Sequence, residues 1–113
     1  MQTREISKGN WQGFFDQVSG TLRGKVIQIE IDSLQLGAQI EADKLSLNGL
    51  TYDSKDDAFV ISSDQIEHVI RSPQQIFVAD GGQGLNSIKI RAADGTEQII
   101  NFSEPLSLPP ADQ

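Results

Sequence analysis

The sequence predicts a mainly β domain of the α+β kind, with one N-terminal amphipathic helix packed on an antiparallel meander that forms a curled sheet or a small open barrel. Three observations lead there. Apolar residues recur at helical spacing only near the start, at Trp11, Phe14, Phe15, Val18 and Leu22. From residue 25 onward they recur at every second position instead, as where Ile27, Ile29 and Ile31 alternate with Gln28 and Glu30. Turn dipeptides separate these runs at short intervals with no crossover helix between them, and parallel strands would need such crossovers.

With 113 residues the chain fits one domain, expected over 1–102. The helix is expected at about 8–19. Ser7 is placed to cap it, and Ile6 and Trp11 then occupy the two positions whose contact forms a hydrophobic staple. Gly20 or Gly24 supplies the stop. Gly9 and Gly13 each lower helix propensity by roughly 1 kcal/mol relative to Ala, so the helix needs the sheet to persist.

Strands are expected from about 25 to 102. Leu34, Leu36, Ala38, Ile40 and Ala42 repeat the alternation of the first strand, with Asp32-Ser33 as the turn between the two. Leu45 and Leu47 lead through an Asn48-Gly49 turn into Leu50-Thr51-Tyr52, and the polar run Asp53-Ser54-Lys55-Asp56-Asp57 precedes a strand at 58–61. Ile66, His68 and Ile70 share one face of the next segment until Ser72-Pro73 interrupts it. Strands at 75–79 and 85–92 flank a glycine-rich turn, and Asp94-Gly95 closes a tight hairpin to Ile100 and Phe102. Beyond, Pro105, Pro109 and Pro110 mark 103–113 as a proline-rich, mobile tail, because proline lacks the N–H that a central strand needs.

Composition excludes several functions. A net charge of −7 with scattered basic residues argues against nucleic acid, whose binding depends on clustered Lys and Arg. The same charge, and the lack of a basic amphipathic helix, argue against a membrane surface. With no cysteine there is no disulfide, thiolate nucleophile or Cys-ligated metal. No apolar run approaches the roughly 18 residues that span a bilayer, and the start lacks a signal-peptide pattern, so a cytoplasmic protein is expected.

Few residues invite chemistry. His68 could act as a base or ligand, but no second His or Cys accompanies it, and a catalytic imidazole needs a partner to orient it. A half-buried histidine held by one hydrogen bond is the plainer account. Asp53, Asp56 and Asp57 depart from calcium-loop spacing and enclose Lys55, which fits a solvated turn rather than a metal site. Gly81, Gly82 and Gly84 lead into a strand rather than a helix, so they suit a turn and not a phosphate cradle. The Trp11, Phe14 and Phe15 face is expected to pack on the sheet rather than bind a partner. No cofactor, metal site or catalytic residue is assigned.

Several of these residues together carry a family likeness: Arg4-Glu5-Ile6, Trp11, Phe14-Phe15-Asp16, Ser19, Gly24 and Glu30. It continues through Gly37-Ala38-Gln39, Gly49, Tyr52-Asp53, His68-x-Ile70-x-x-Pro73 and the Asp94-Gly95 hairpin to Phe102. In these the chain resembles a family of small bacterial proteins of unknown function that open Arg-Glu-Ile and then carry Trp-x-x-Phe-Phe-Asp. The resemblance implies a bacterial origin and a compact domain, and no reaction. It adds weight to Glu30, Gln39 and His68 as polar positions embedded in strands.

The first expectation is therefore a noncatalytic interaction or regulatory module that binds another protein, or a second copy, through a sheet edge or face. The alternative is a small-ligand binder using the mouth of the curled sheet, with Tyr52 and His68 as its polar contacts. An enzyme working through carboxylates and His68 comes third.

Overall fold

The computed structural model describes residues 2–81 and 84–106 of the chain. Its elements run β1 (Gln2–Ile6), a 3-10 turn (Lys8–Asn10), α1 (Trp11–Leu22), β2 (Val26–Ser33), β3 (Gly37–Asp53), β4 (Ala58–Ser63), β5 (Glu67–Arg71), β6 (Pro73–Gly81), β7 (Gly84–Ala92) and β8 (Glu97–Leu106). The strands form one antiparallel sheet of eight in the order β1-β6-β7-β8-β2-β3-β4-β5, not closed into a barrel. Two runs of consecutive neighbours, β2 to β5 and β6 to β8, keep the expected meander. It breaks at Ser72, where φ is +52° and Pro73 has no N–H to offer, so β5 and β6 part instead of pairing.

The helix begins three residues later than its spacing suggested. Ser7 has extended backbone and makes no side-chain cap; its carbonyl accepts from Asn10 N–H at 2.8 Å, closing the 3-10 turn. Ile6 and Trp11 are nevertheless joined, by the indole Nε1–H donating to the Ile6 carbonyl at 2.8 Å. Gly24, with φ +84°, ends the segment in the left-handed conformation that glycine adopts freely.

One core lies between α1 and the inner face of the curled sheet. Trp11, Phe15, Val18 and Leu22 enter it from the helix, and Ile27, Ile29, Leu47, Leu50, Phe59, Ile61, Ile76, Ile88, Ile90 and Ile100 from the strands. Edge-on ring contacts tie the layers, Trp11 to Tyr52 at 5.0 Å and Phe15 to Phe59 at 4.9 Å. Ser19 Oγ–H reaches the Leu50 carbonyl at 3.1 Å and fastens α1 to β3.

Several local expectations change. A strand at Gln2–Ile6 pairs with β6 as a sheet edge, and its polar composition hid it. Leu34 and Leu36 sit at the tip of the β2–β3 hairpin, 99% and 68% exposed, rather than in a half-buried strand; the turn falls at 34–36 and not at Asp32-Ser33. Asn48-Gly49 is no turn: β3 runs straight through it, with a register shift against β4 between Leu47 and Gly49. β8 extends to Leu106, past the expected tail start, because beyond Phe102 it no longer pairs with β2 and a proline there interrupts no ladder on that side. The rest of that tail, 107–113, lies outside the described residues, as does Gly82.

Candidate functional site

The two side chains singled out from sequence occupy separate surroundings. Tyr52 stands on β3 with its ring buried against Trp11, and its hydroxyl donates to Asp57 Oδ1 at 2.7 Å. That bond, with burial and the negative charges of Asp57 and Asp53, pushes the phenol pKa up to about 12. Lys8 Nζ lies 3.6 Å from the same Asp57 and 5.5 Å above the Trp11 ring. Lys8, Tyr52 and Asp57 border a cleft of about 400 Å³ with Gly9, Gln12 and Ser54. A phenol bonded to Asp57 and held neutral at physiological pH donates a hydrogen bond.

His68, on β5, is half-buried on the same strand face as the buried Ile70, as the alternation required. Its Nε2 lies 2.6 Å from Gln98 Oε1 on β8, a pairing in which the ring N–H donates and the amide accepts. Curling of the sheet brings these strands together across its inner side, although three strands separate them in the order. His68 is absent from the rim of the Tyr52 cleft, so the two do not share a site. Gln98 was not foreseen, because only the curl makes it a neighbour.

The acidic run resolves as the β3–β4 turn. Asp53 Oδ1 accepts from the Lys55 backbone N–H at 2.9 Å, and Asp57 takes a φ of +50°. Among the described residues no group of three or more His, Asp or Glu side chains is arranged to hold a metal, and no helix is long and apolar enough to cross a membrane.

The least expected feature is the outer face of the sheet. Ile29, Ile88 and Ile100 point into the core, so Glu30, Lys89 and Ile99 point away from it. Strand register then sets out a transverse row of directly opposed residues, Phe77, Lys89, Ile99, Glu30 and Ile40, from β6 across to β3. The parallel row two residues along reads Gln75, Arg91, Glu97, Asp32 and Ala38. Lys89 and Arg91 lie 5.3 Å and 5.6 Å from the centre of the Phe77 ring, and Arg91 also grips Glu97 at 2.6 Å. A shallow depression of about 200 Å³ opens beside Phe77, Lys89 and Ile99. Both rows are basic on β7 and acidic on β2, with β8 between.

A family model described as "Family of unknown function (DUF5335)" matches residues 2–111. The chain belongs to this family. The chain is also similar to a protein named "Uncharacterized protein" from Aquifex aeolicus (strain VF5), 32% identical over 110 residues that cover 96% of this chain and 99% of the relative. The family match spans every element of the sheet and the helix alike. No solved structure matches the chain.

Proposed function

We propose that the protein is a noncatalytic binding module that works as a symmetric dimer, two copies meeting through the outer faces of their sheets. The observation that carries this reading is the charge pattern about β8: basic residues on one flanking strand, acidic residues on the other, in two successive rows. A two-fold axis lying along β8 between two facing sheets exchanges the flanks. Lys89 then opposes the second copy's Glu30, Arg91 opposes Asp32, Phe77 opposes Ile40, and Ile99 meets its own equivalent. A two-fold interface requires this kind of self-complementarity. The apolar members supply desolvation at the centre, and Ile40, 54% exposed, is the kind of surface aliphatic that an interface covers. Arg91 keeps its bond to Glu97, which leaves the two central Glu97 carboxylates neutralised where they approach.

The alternative, a small-ligand binder through Tyr52 and His68, has less behind it, because each is already committed to a different partner. We take the module to act in the cytoplasm, where a cysteine-free chain has no disulfide to lose.

Light scattering tests the dimer. The unaltered protein should show twice its 12.4 kDa mass. A Lys89→Glu, Arg91→Glu chain should become a folded monomer, its melting temperature lowered by the loss of the Arg91–Glu97 pair and of the second copy. Adding Glu30→Lys and Asp32→Lys to that chain should restore the dimer, because the exchange preserves the complementarity. A monomer for the unaltered chain at millimolar concentration overturns the reading, as does a restored chain that stays monomeric.

A further inference from the structure

A second surface gathers basic residues that are far apart in the sequence. Arg23 and Lys25 follow α1, and Lys44 stands on β3; together with Gly24, Val26, Ser103 and Glu104 they line a cleft of about 520 Å³. That volume lies within the range of small-molecule sites, and Val26, 40% exposed, adds an apolar patch to the wall. The walls are firm. Gly24 N–H donates to the Leu47 carbonyl and Leu47 N–H to the Lys25 carbonyl, each at 2.8 Å, so the loop after α1 is pinned to β3. The ion pairs found among the described residues engage Arg4, Lys8 and Arg91, and none engages these three cations. Among the described residues Glu104 is the single carboxylate on the rim.

Lys44 is the telling member. Its φ is +58°, in the left-handed region that penalises a side chain, at a bulge where β3 carries Asp43 and Lys44 against the lone Gln28 of β2. Glycine would sit there without strain. A bulge re-aims the side chains it carries, and strain at such a position is retained where the side chain has work to do. Arg23 and Lys25 have a structural account, since cations favour the carbonyl end of a helix. Lys44, on another element, has none.

We infer that this cleft is a binding site for a small molecule bearing two or more anionic groups, phosphate or carboxylate. Three cations converge on one concavity of a chain whose net charge is −7. A compact polyanion satisfies them with charge-assisted bonds, whereas a long one would run out over acidic surface. The site uses none of the residues of the two opposed rows on the outer face.

The test is a titration of ¹⁵N-labelled protein with pyrophosphate, and separately with citrate, followed by amide chemical shifts. The amides of Arg23, Gly24, Lys25 and Lys44 should move together and saturate, with the tighter of the two probes identifying the anionic group. Lys44→Gly should weaken binding about tenfold, the range expected for losing one charge-assisted contact, while its melting temperature holds or rises as the strain goes. Lys25→Gln should weaken it comparably. Lys55→Gln, in the β3–β4 turn, should leave it unchanged. Absence of saturable shifts with both probes overturns the inference, as does undiminished affinity in both cleft variants. Binding of a single-stranded oligonucleotide where both small anions fail overturns it as well.

Discussion

The two halves of β3 are one continuous strand in very different circumstances. Residues 37–41 are exposed at every position, whereas Leu45, Leu47, Leu50 and Tyr52 are buried beneath α1. Both halves carry alternating apolar residues. What separates them is facing and cover: α1 lies on the inner side of the second half, no other described element crosses the first, and the register shifts and the bulge at Lys44 between them leave Ala38 and Ile40 on the outer face. Alternation thus reports that one face of a strand is apolar, and a layer must still arrive for that face to count as core.

The sharpest way to break this contrast is to truncate a side chain on the covered half. Leu50→Ala should cost about 2–5 kcal/mol of unfolding free energy in a urea titration, since it removes a wholly buried side chain and leaves a cavity under the helix. A loss below about 1 kcal/mol would mean that α1 lifts away freely, against the packing described here.

Tyr52, at the end of the covered half, should give a middling effect with a signature in pH. Tyr52→Phe removes its bond to Asp57 and should cost about 1 kcal/mol at neutral pH. The folded protein holds this phenol protonated up to about pH 12, against an ordinary value of 10.0. A pKa raised by folding means that the contribution is whole below pH 10.0 and disappears as pH climbs through about 12. The stability difference between the unaltered protein and Tyr52→Phe, followed by urea unfolding from pH 9 to 12, should therefore shrink toward the alkaline end; a flat difference would contradict the bond.

The smallest effect belongs to the uncovered half and its hairpin tip. Leu34→Ser and Leu36→Ser should each change stability by less than about 0.5 kcal/mol, because neither side chain leaves water on folding. A loss of the size predicted for Leu50 would show that something covers the tip in solution.

Much of the fold was legible in the residues. The change from a 3.6 to a 2 period separated helix from sheet near Gly24, and Asp94-Gly95 forms the β7–β8 turn with Gly95 at φ +88° and Thr96 N–H donating to Asp94 Oδ1 at 2.9 Å. That bond holds the Asp94 carboxyl below its usual range. Errors fell where local signals compete. Asn48-Gly49 is a good turn dipeptide, yet the hydrogen bonds of a central strand outweigh it. The polar edge strand β1 has too little apolar content to announce itself, and is held by its pairing with β6. Of the candidate site residues, His68 kept the inward face its alternation implied, but its partner Gln98 and the distance from Tyr52's cleft were invisible, because both depend on how far the sheet curls.

The sequence by itself determined the class of fold, which side of most strands faces inward, and the absence of thiol chemistry, since periodicity and composition are properties of neighbouring residues along the chain. Tertiary structure alone decided the strand order, the cover over half of β3, the opposed charges flanking β8 and the meeting of Arg23, Lys25 and Lys44. Those features arise from register between strands remote in sequence, and register is set by the summed burial of the whole inner face rather than by any local run.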